Sequence, residues 1–86
     1  MKIRDGYIVR KIGSKFYAVS VSQVSAGGGM IALNETGAYI WDLMKDETDA
    51  DTVAKALAEH YEIDLDTAKK DTEAFIGMLS EVGALA

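Results

Sequence analysis

The chain has 86 residues, 49% hydrophobic and 27% charged, with a formal net charge of −5 and no cysteine. A chain this short buries only about 60–65% of its unfolded surface, and without cysteine no disulfide reinforces the thin core. The acidity weighs against nucleic-acid phosphates and anionic membranes as partners, and no apolar run reaches the roughly 18 residues of a membrane helix.

The N-terminal MKIRDGYIVRKIG carries charges where an export signal needs an apolar stretch. Together with the missing cysteines, this sets the expectation of a cytoplasmic protein. Tyr7 to Ile12 is β-branched and aromatic and reads as a first strand over 7–12. Gly13-Ser14-Lys15 has hairpin length. The next strand is expected over 16–22, where Tyr17, Val19 and Val21 alternate with Ala18, Ser20 and Ser22. One of its faces is apolar and the other small or polar. A glycine-rich connection then leads to a short third strand over 30–33.

Beyond residue 34 the pattern turns helical. Asn34 is placed to cap a helix over 35–46, with Ile40, Trp41, Leu43 and Met44 at helical spacing. Gly37 inside it costs about 1 kcal/mol against alanine, tolerable if another backbone packs closely. Asp49 or Asp51 caps a second helix over 50–61, with Val53, Ala56, Leu57 and Tyr61 as its stripe. Asp64 caps a third over 65–82, with Ala68, Thr72, Phe75, Leu79 and Val82 facing inward. Gly83 ends it in a left-handed conformation, and Ala84-Leu85-Ala86 folds back. The string βββααα predicts one α+β domain over 1–86: a three-stranded antiparallel sheet followed by three helices, winged helix-turn-helix-like.

The stretch GGGMIALNETGAYIW, 27–41, raises the question of a phosphate loop. Such a loop needs its glycines between a strand and a helix N-terminus. Here the triplet leads into a strand and no Gly-Lys-Ser/Thr ending follows, so a loose connection is the better reading. The acidic runs from Asp46 and from Asp64 both fail the calcium-loop pattern at the fifth and sixth positions. His60 stands without a second histidine or a cysteine, and no nucleophile elbow is present. No catalytic residue, metal site or cofactor is therefore expected.

Three binding readings compete. A winged-helix DNA-binding or regulator domain would place 64–82 in the major groove, but Asp64, Asp66, Asp71, Glu73 and Glu81 outnumber Lys69 and Lys70 there. A carrier protein would be helical throughout, with an attachment serine that is missing here. Peptide capture needs an edge strand with unpaired backbone groups, and the third strand of a meander supplies one.

The segments MIALNETGAYIWDLM (30–44), TVAKALAEHYEID (52–64) and DTEAFIGMLSEVGAL (71–85) together resemble the coenzyme PQQ synthesis protein D family. The resemblance rests on Leu33-Asn34-x-Thr36-Gly37, Ile40-Trp41-x-Leu43, Tyr61, and Asp71, Phe75, Ile76, Leu79 and Gly83 in order. It implies a winged-helix-like, non-catalytic recognition element that binds the leader of a ribosomally made precursor peptide beside strand three. It implies presentation of that peptide to a modifying enzyme, often a radical S-adenosylmethionine enzyme, in PQQ-like or other modified-peptide biosynthesis. The expected contacts are the strand Met30, Ile31, Ala32 and Leu33 and the helix-three flank Lys69, Glu73 and Ile76. The opposite flank, with Asp71 and Met78, is the competing choice, since periodicity does not fix which flank faces strand three. A monomer or a strand-exchanged dimer fits the open edge.

Overall fold

A computed structural model describes residues 1–20 and 30–86; the expectations for Val21, Ser22 and the glycine run lie outside the described residues. In chain order the elements are β1 (Tyr7–Ile12), β2 (Lys15–Ser20), β3 (Met30–Leu33), α1 (Glu35–Leu43), α2 (Ala50–Tyr61) and α3 (Leu65–Glu81). The strands form one antiparallel sheet in the order β1-β2-β3, followed by the three helices, which is the expected α+β architecture. β3 lies at the edge.

The β1–β2 register follows from a two-residue turn. Gly13 takes φ +65° at the first central position, where a tight hairpin turn favours glycine. Ile12 and Lys15 flank that turn as partners, and the pairing runs out to Tyr7 and Ser20. β2 then pairs with β3 from Phe16 opposite Leu33 to Val19 opposite Met30.

The helices cover the face of the sheet on which β2 carries Ala18 and Ser20, with Tyr7, Val9, Phe16, Ile31 and Leu33 around them. Ala18 is fully buried, and Ser20 and Leu33 are each only 4% exposed. Tyr17 and Val19, on the apolar side of the strand's alternation, lie on the other face and are only half-buried. Ala18 and Ser20 leave room for the bulky side chains of α1, since a packed interior fills its volume without voids. Ile40 and Trp41 are buried there, and Trp41 meets the Tyr7 ring edge-to-face at 5.2 Å. Val53, Ala54 and Leu57 of α2 and Ala68, Thr72 and Leu79 of α3 complete the interior.

Each helix begins on the polar residue expected of it. Asn34 accepts from the Gly37 N–H at 2.7 Å, Asp49 from Thr52 at 2.7 Å and Asp64 from Thr67 at 3.1 Å. Asp49, not Asp51, is therefore the α2 cap, and the Thr52 amide holds its carboxyl below the usual carboxylate range.

The helix ends differ from expectation in two places. α1 stops at Leu43, short of residue 46, and the Ile3 N–H takes the Met44 carbonyl at 2.9 Å. α3 stops at Glu81, leaving Val82 as its cap and 49% exposed. Gly83 turns the chain at φ +74°, and Ala84 fills the core position instead. Its N–H closes on the Leu79 carbonyl at 2.8 Å. The tail then pairs with the N-terminal segment through an Ile3–Leu85 bridge, flanked by Arg4 N–H to Ala84 at 2.8 Å and Ala86 N–H to Lys2 at 2.9 Å. Among the described residues no helix is long and apolar enough to cross a membrane.

Gly77 lies exposed in the interior of α3, and a methyl group added there would meet nothing within 4 Å. Gly77→Ala is expected to raise stability by about 0.5–1 kcal/mol, because it removes backbone freedom only from the unfolded chain. A denaturant midpoint at or below that of the parent protein would contradict this account of α3.

Candidate functional site

The open edge of β3 has a definite hydrogen-bonding register. In an antiparallel ladder bonded and non-bonded pairs alternate. Ile12 and Lys15 close the turn as a bonded pair, so Arg10–Tyr17 and Ile8–Val19 are bonded as well. Phe16 and Ala18 therefore turn their backbone groups toward β3, where they meet Leu33 and Ile31. Met30 and Ala32 are left with N–H and C=O directed out of the sheet. Of the four residues expected in the added ladder, two turn their backbone groups out of the sheet, with no partner among the described residues. The other two, Ile31 and Leu33, hold β3 in the sheet, with Leu33 only 4% exposed.

Beside this edge runs a groove of about 400 Å³ between β3 and α3. Ala32, Leu33 and Asn34 form one side, and Thr36, Gly37 and Ile40 of α1 form its floor. Asp71, Ala74, Phe75 and Met78 of α3 form the other side. The lining is mostly apolar, with Asn34 and Thr36 as its neutral polar residues and Asp71 as its one ionisable group. Such a surface suits apolar side chains spaced along an extended chain, while backbone partners come from the strand.

The floor of the groove includes Gly37, where α1 carries no side chain. A Cβ there would stand 3.0 Å from Phe75 Cε1 and 3.1 Å from the capping oxygen of Asn34. The close approach that the helix glycine predicts is thus made by a ring and a cap oxygen, where a second backbone was expected.

α3 presents the flank that sequence left as the competing choice. Asp71 and Met78 line the groove; Lys69, Glu73 and Ile76 do not. At helical spacing those three lie on the other side of the inward stripe. Lys69 and Glu73 are exposed, and Ile76 is half-buried against the core. Ala74 and Phe75 were not among the expected contact residues. A signal for this flank is nevertheless present: Ala74 and Met78 stand one turn apart with no long charged side chain, whereas Lys69 and Glu73 occupy the same spacing on the other side.

A second cleft, on the far side of α1, is filled differently. His60 stacks on Tyr39 with centroids 4.2 Å apart, and Tyr61 meets both rings edge-on. Burial, with the Glu35 carboxylate nearby, pushes the Tyr61 hydroxyl above its usual range. The chain's only histidine is therefore exposed but held in an aromatic cluster. Among the described residues no group of three acidic or histidine side chains is placed to hold a metal ion.

The family profile described as coenzyme PQQ synthesis protein D matches residues 8–85. Two solved structures are similar over nearly their whole length. One is TbiB1 in complex with the TbiA(β) leader peptide: TM-score 0.77, 22% identity, 99% of this chain and 94% of that one covered. The other is lasso peptide synthetase B1 complexed with the leader peptide: TM-score 0.74, 24% identity, 96% and 93% covered. At these identities the two share the fold with this chain. No curated protein matches.

Gly37→Ala tests the geometry of the groove floor. Alanine favours the helix by about 1 kcal/mol, but crowding Phe75 and the Asn34 cap costs about 1–3 kcal/mol. A net loss of about 1 kcal/mol is expected, with displaced Phe75 ring resonances. Unchanged stability with unmoved Phe75 signals would show that the α1–α3 contact has slack.

Proposed function

We propose a binding role for this chain, which belongs to the coenzyme PQQ synthesis protein D family: it captures the leader of a ribosomally made precursor peptide. The peptide adds as a fourth strand along β3. The observation that carries this reading is the coincidence of two features. Met30 and Ala32 turn their N–H and C=O groups outward, and Ala32 lines an apolar groove whose opposite wall is Asp71, Ala74, Phe75 and Met78.

An extended peptide needs both features. Backbone pairing gives affinity without sequence preference, and the groove reads alternate side chains. Leader residues facing α3 are apolar, with room for one cation or hydrogen-bond donor opposite Asp71. On α3 the contact set is this flank, in place of Lys69, Glu73 and Ile76. The protein carries no reaction itself. It works in the cytoplasm and presents the peptide to a modifying enzyme, such as a radical S-adenosylmethionine enzyme. Leader-peptide complexes of the two structurally similar proteins support this reading.

The test is an amide NMR titration with the leader half of the precursor peptide encoded beside this chain. Shifts are expected in residues 30–33 and in Asp71 to Met78; shifts confined to the far flank of α3 would sink the proposed register. Ala32→Pro removes an outward amide, which an edge strand tolerates. It is expected to weaken peptide binding at least about tenfold while the protein stays folded. Ile31→Pro removes an amide bonded to β2 and is expected to unfold the edge. Met78→Ala is expected to weaken binding about 3- to 10-fold, and Lys69→Ala to change it less than about twofold. Unchanged affinity in folded Ala32→Pro would refute strand addition.

A further inference from the structure

The groove uses the edge of the sheet and its covered side. The opposite face carries a second surface. Ile8 and Met30 flank Val19 in one cross-strand row, and they are 45% and 69% exposed. Ile12, next to the turn, is 66% exposed on the same face. Three of the six large exposed hydrophobic residues among those described therefore share one side of a three-stranded sheet. Singly scattered exposed apolar residues are ordinary, whereas apolar residues gathered on one open sheet face offer a surface that a partner can cover.

The charge on this face has one sign. Arg10 and Lys15 stand on it, and none of its described strand residues is acidic. The pattern extends to the whole chain. Residues 1–20 hold five of the nine lysines and arginines but one of the fourteen acidic residues; residues 30–86 hold the other four and thirteen. A basic, apolar sheet face thus opposes an acidic helical side.

We propose that this open face docks a folded protein whose surface carries an apolar centre bordered by carboxylates, and that this protein is the peptide-modifying enzyme. The proposal rests on the leader-capture reading. Charge complementarity selects the occupant. A second copy stacked face to face would oppose Arg10 and Lys15 to themselves. A head-to-tail copy would offer its acidic helical side, whose large exposed apolar residues, Leu65 and Val82, sit at opposite ends of α3 and make no matching row. Nucleic-acid phosphates would satisfy the cations and leave the isoleucines in water.

Continuity adds a second argument. A strand added beside Met30 and Ala32 lengthens this face by its own outward side chains, so an enzyme seated here meets sheet and peptide on one surface. Six-residue strands make a patch of roughly 20 by 14 Å. That is below the ~800 Å² per partner of a stable complex, which suits an enzyme that comes and goes.

The test uses the intact protein, its leader peptide, and the purified modifying enzyme encoded beside it, with leader and enzyme binding measured separately. The paired substitution Ile8→Thr and Ile12→Thr keeps strand-forming residues while removing apolar surface. It is expected to weaken enzyme binding at least about tenfold and leader binding less than about twofold. Arg10→Glu, a surface change that spares the core, is expected to slow enzyme association and flatten its salt dependence. Undiminished enzyme binding by either folded variant overturns the proposal. Leader binding by the parent protein without enzyme binding overturns it alone; absence of leader binding overturns the capture reading and this one together. A parent dimer that the isoleucine pair dissociates in sedimentation would make the face a self-interface. Salt-sensitive binding of a DNA duplex, lost in Arg10→Glu, would assign it to nucleic acid. Either result replaces the proposed occupant.

Discussion

The missing side chain at Gly37 governs how α3 meets α1, and through that contact how β3 is presented. Phe75 packs into the space a Cβ would take, with its ring 3.0 Å from that position. One residue, Asn34, separates β3 from α1, and its side chain caps the helix from the same spot. Edge strand, helix start and the Phe75 ring are therefore fixed by one another. The groove is what remains between a strand that cannot move away from α1 and a helix held at ring distance from it. A larger residue at 37 would act on all three at once, which is why a residue costly to helix formation fits here.

The sheet divides its work between an edge and two faces. At the centre of its covered face stand two small residues of β2, Ala18 and Ser20, ringed by Tyr7, Val9, Phe16, Ile31 and Leu33 in a core that also holds Trp41 and Ile40. Its open face keeps bulky residues that a core would ordinarily take. Hydrophobicity alone does not decide which face of a strand turns inward. Along β2 the fit beneath α1 decides as well, because the interior must be filled without overlap. The same choice leaves Ile8, Ile12 and Met30 in contact with water on a side that carries arginine and lysine.

Much of this was legible in the sequence. The three strands, the helix starts at Asn34 and Asp64, and the turn at Gly83 are set by local chemistry: β-branched runs, capping oxygens and a glycine free to take positive φ. The edge position of β3 followed from the order of a meander. What was not legible depends on contacts between distant residues. α1 ends early where Ile3, from the far end of the chain, takes the Met44 carbonyl. Val82 fits the helical stripe by spacing, yet the turn at Gly83 gives its place to Ala84. The flank of α3 facing β3 is invisible to periodicity, since both flanks border the same inward stripe. The register is needed to show that Met30 and Ala32, not Ile31 and Leu33, face outward.

The bridge between Ile3 and Leu85, with its neighbouring bonds from Arg4 and Ala86, brings the two ends of the described chain side by side. Proximity of this kind makes the order of covalent connection nearly irrelevant to the packed unit. A second polypeptide attached before residue 1 or after residue 86 would leave from the same point on the surface. A short link between the two ends would let the chain be reopened at the Gly13-Ser14 turn without crossing the core. The unit is thus built so that gene fusion in either order preserves its geometry.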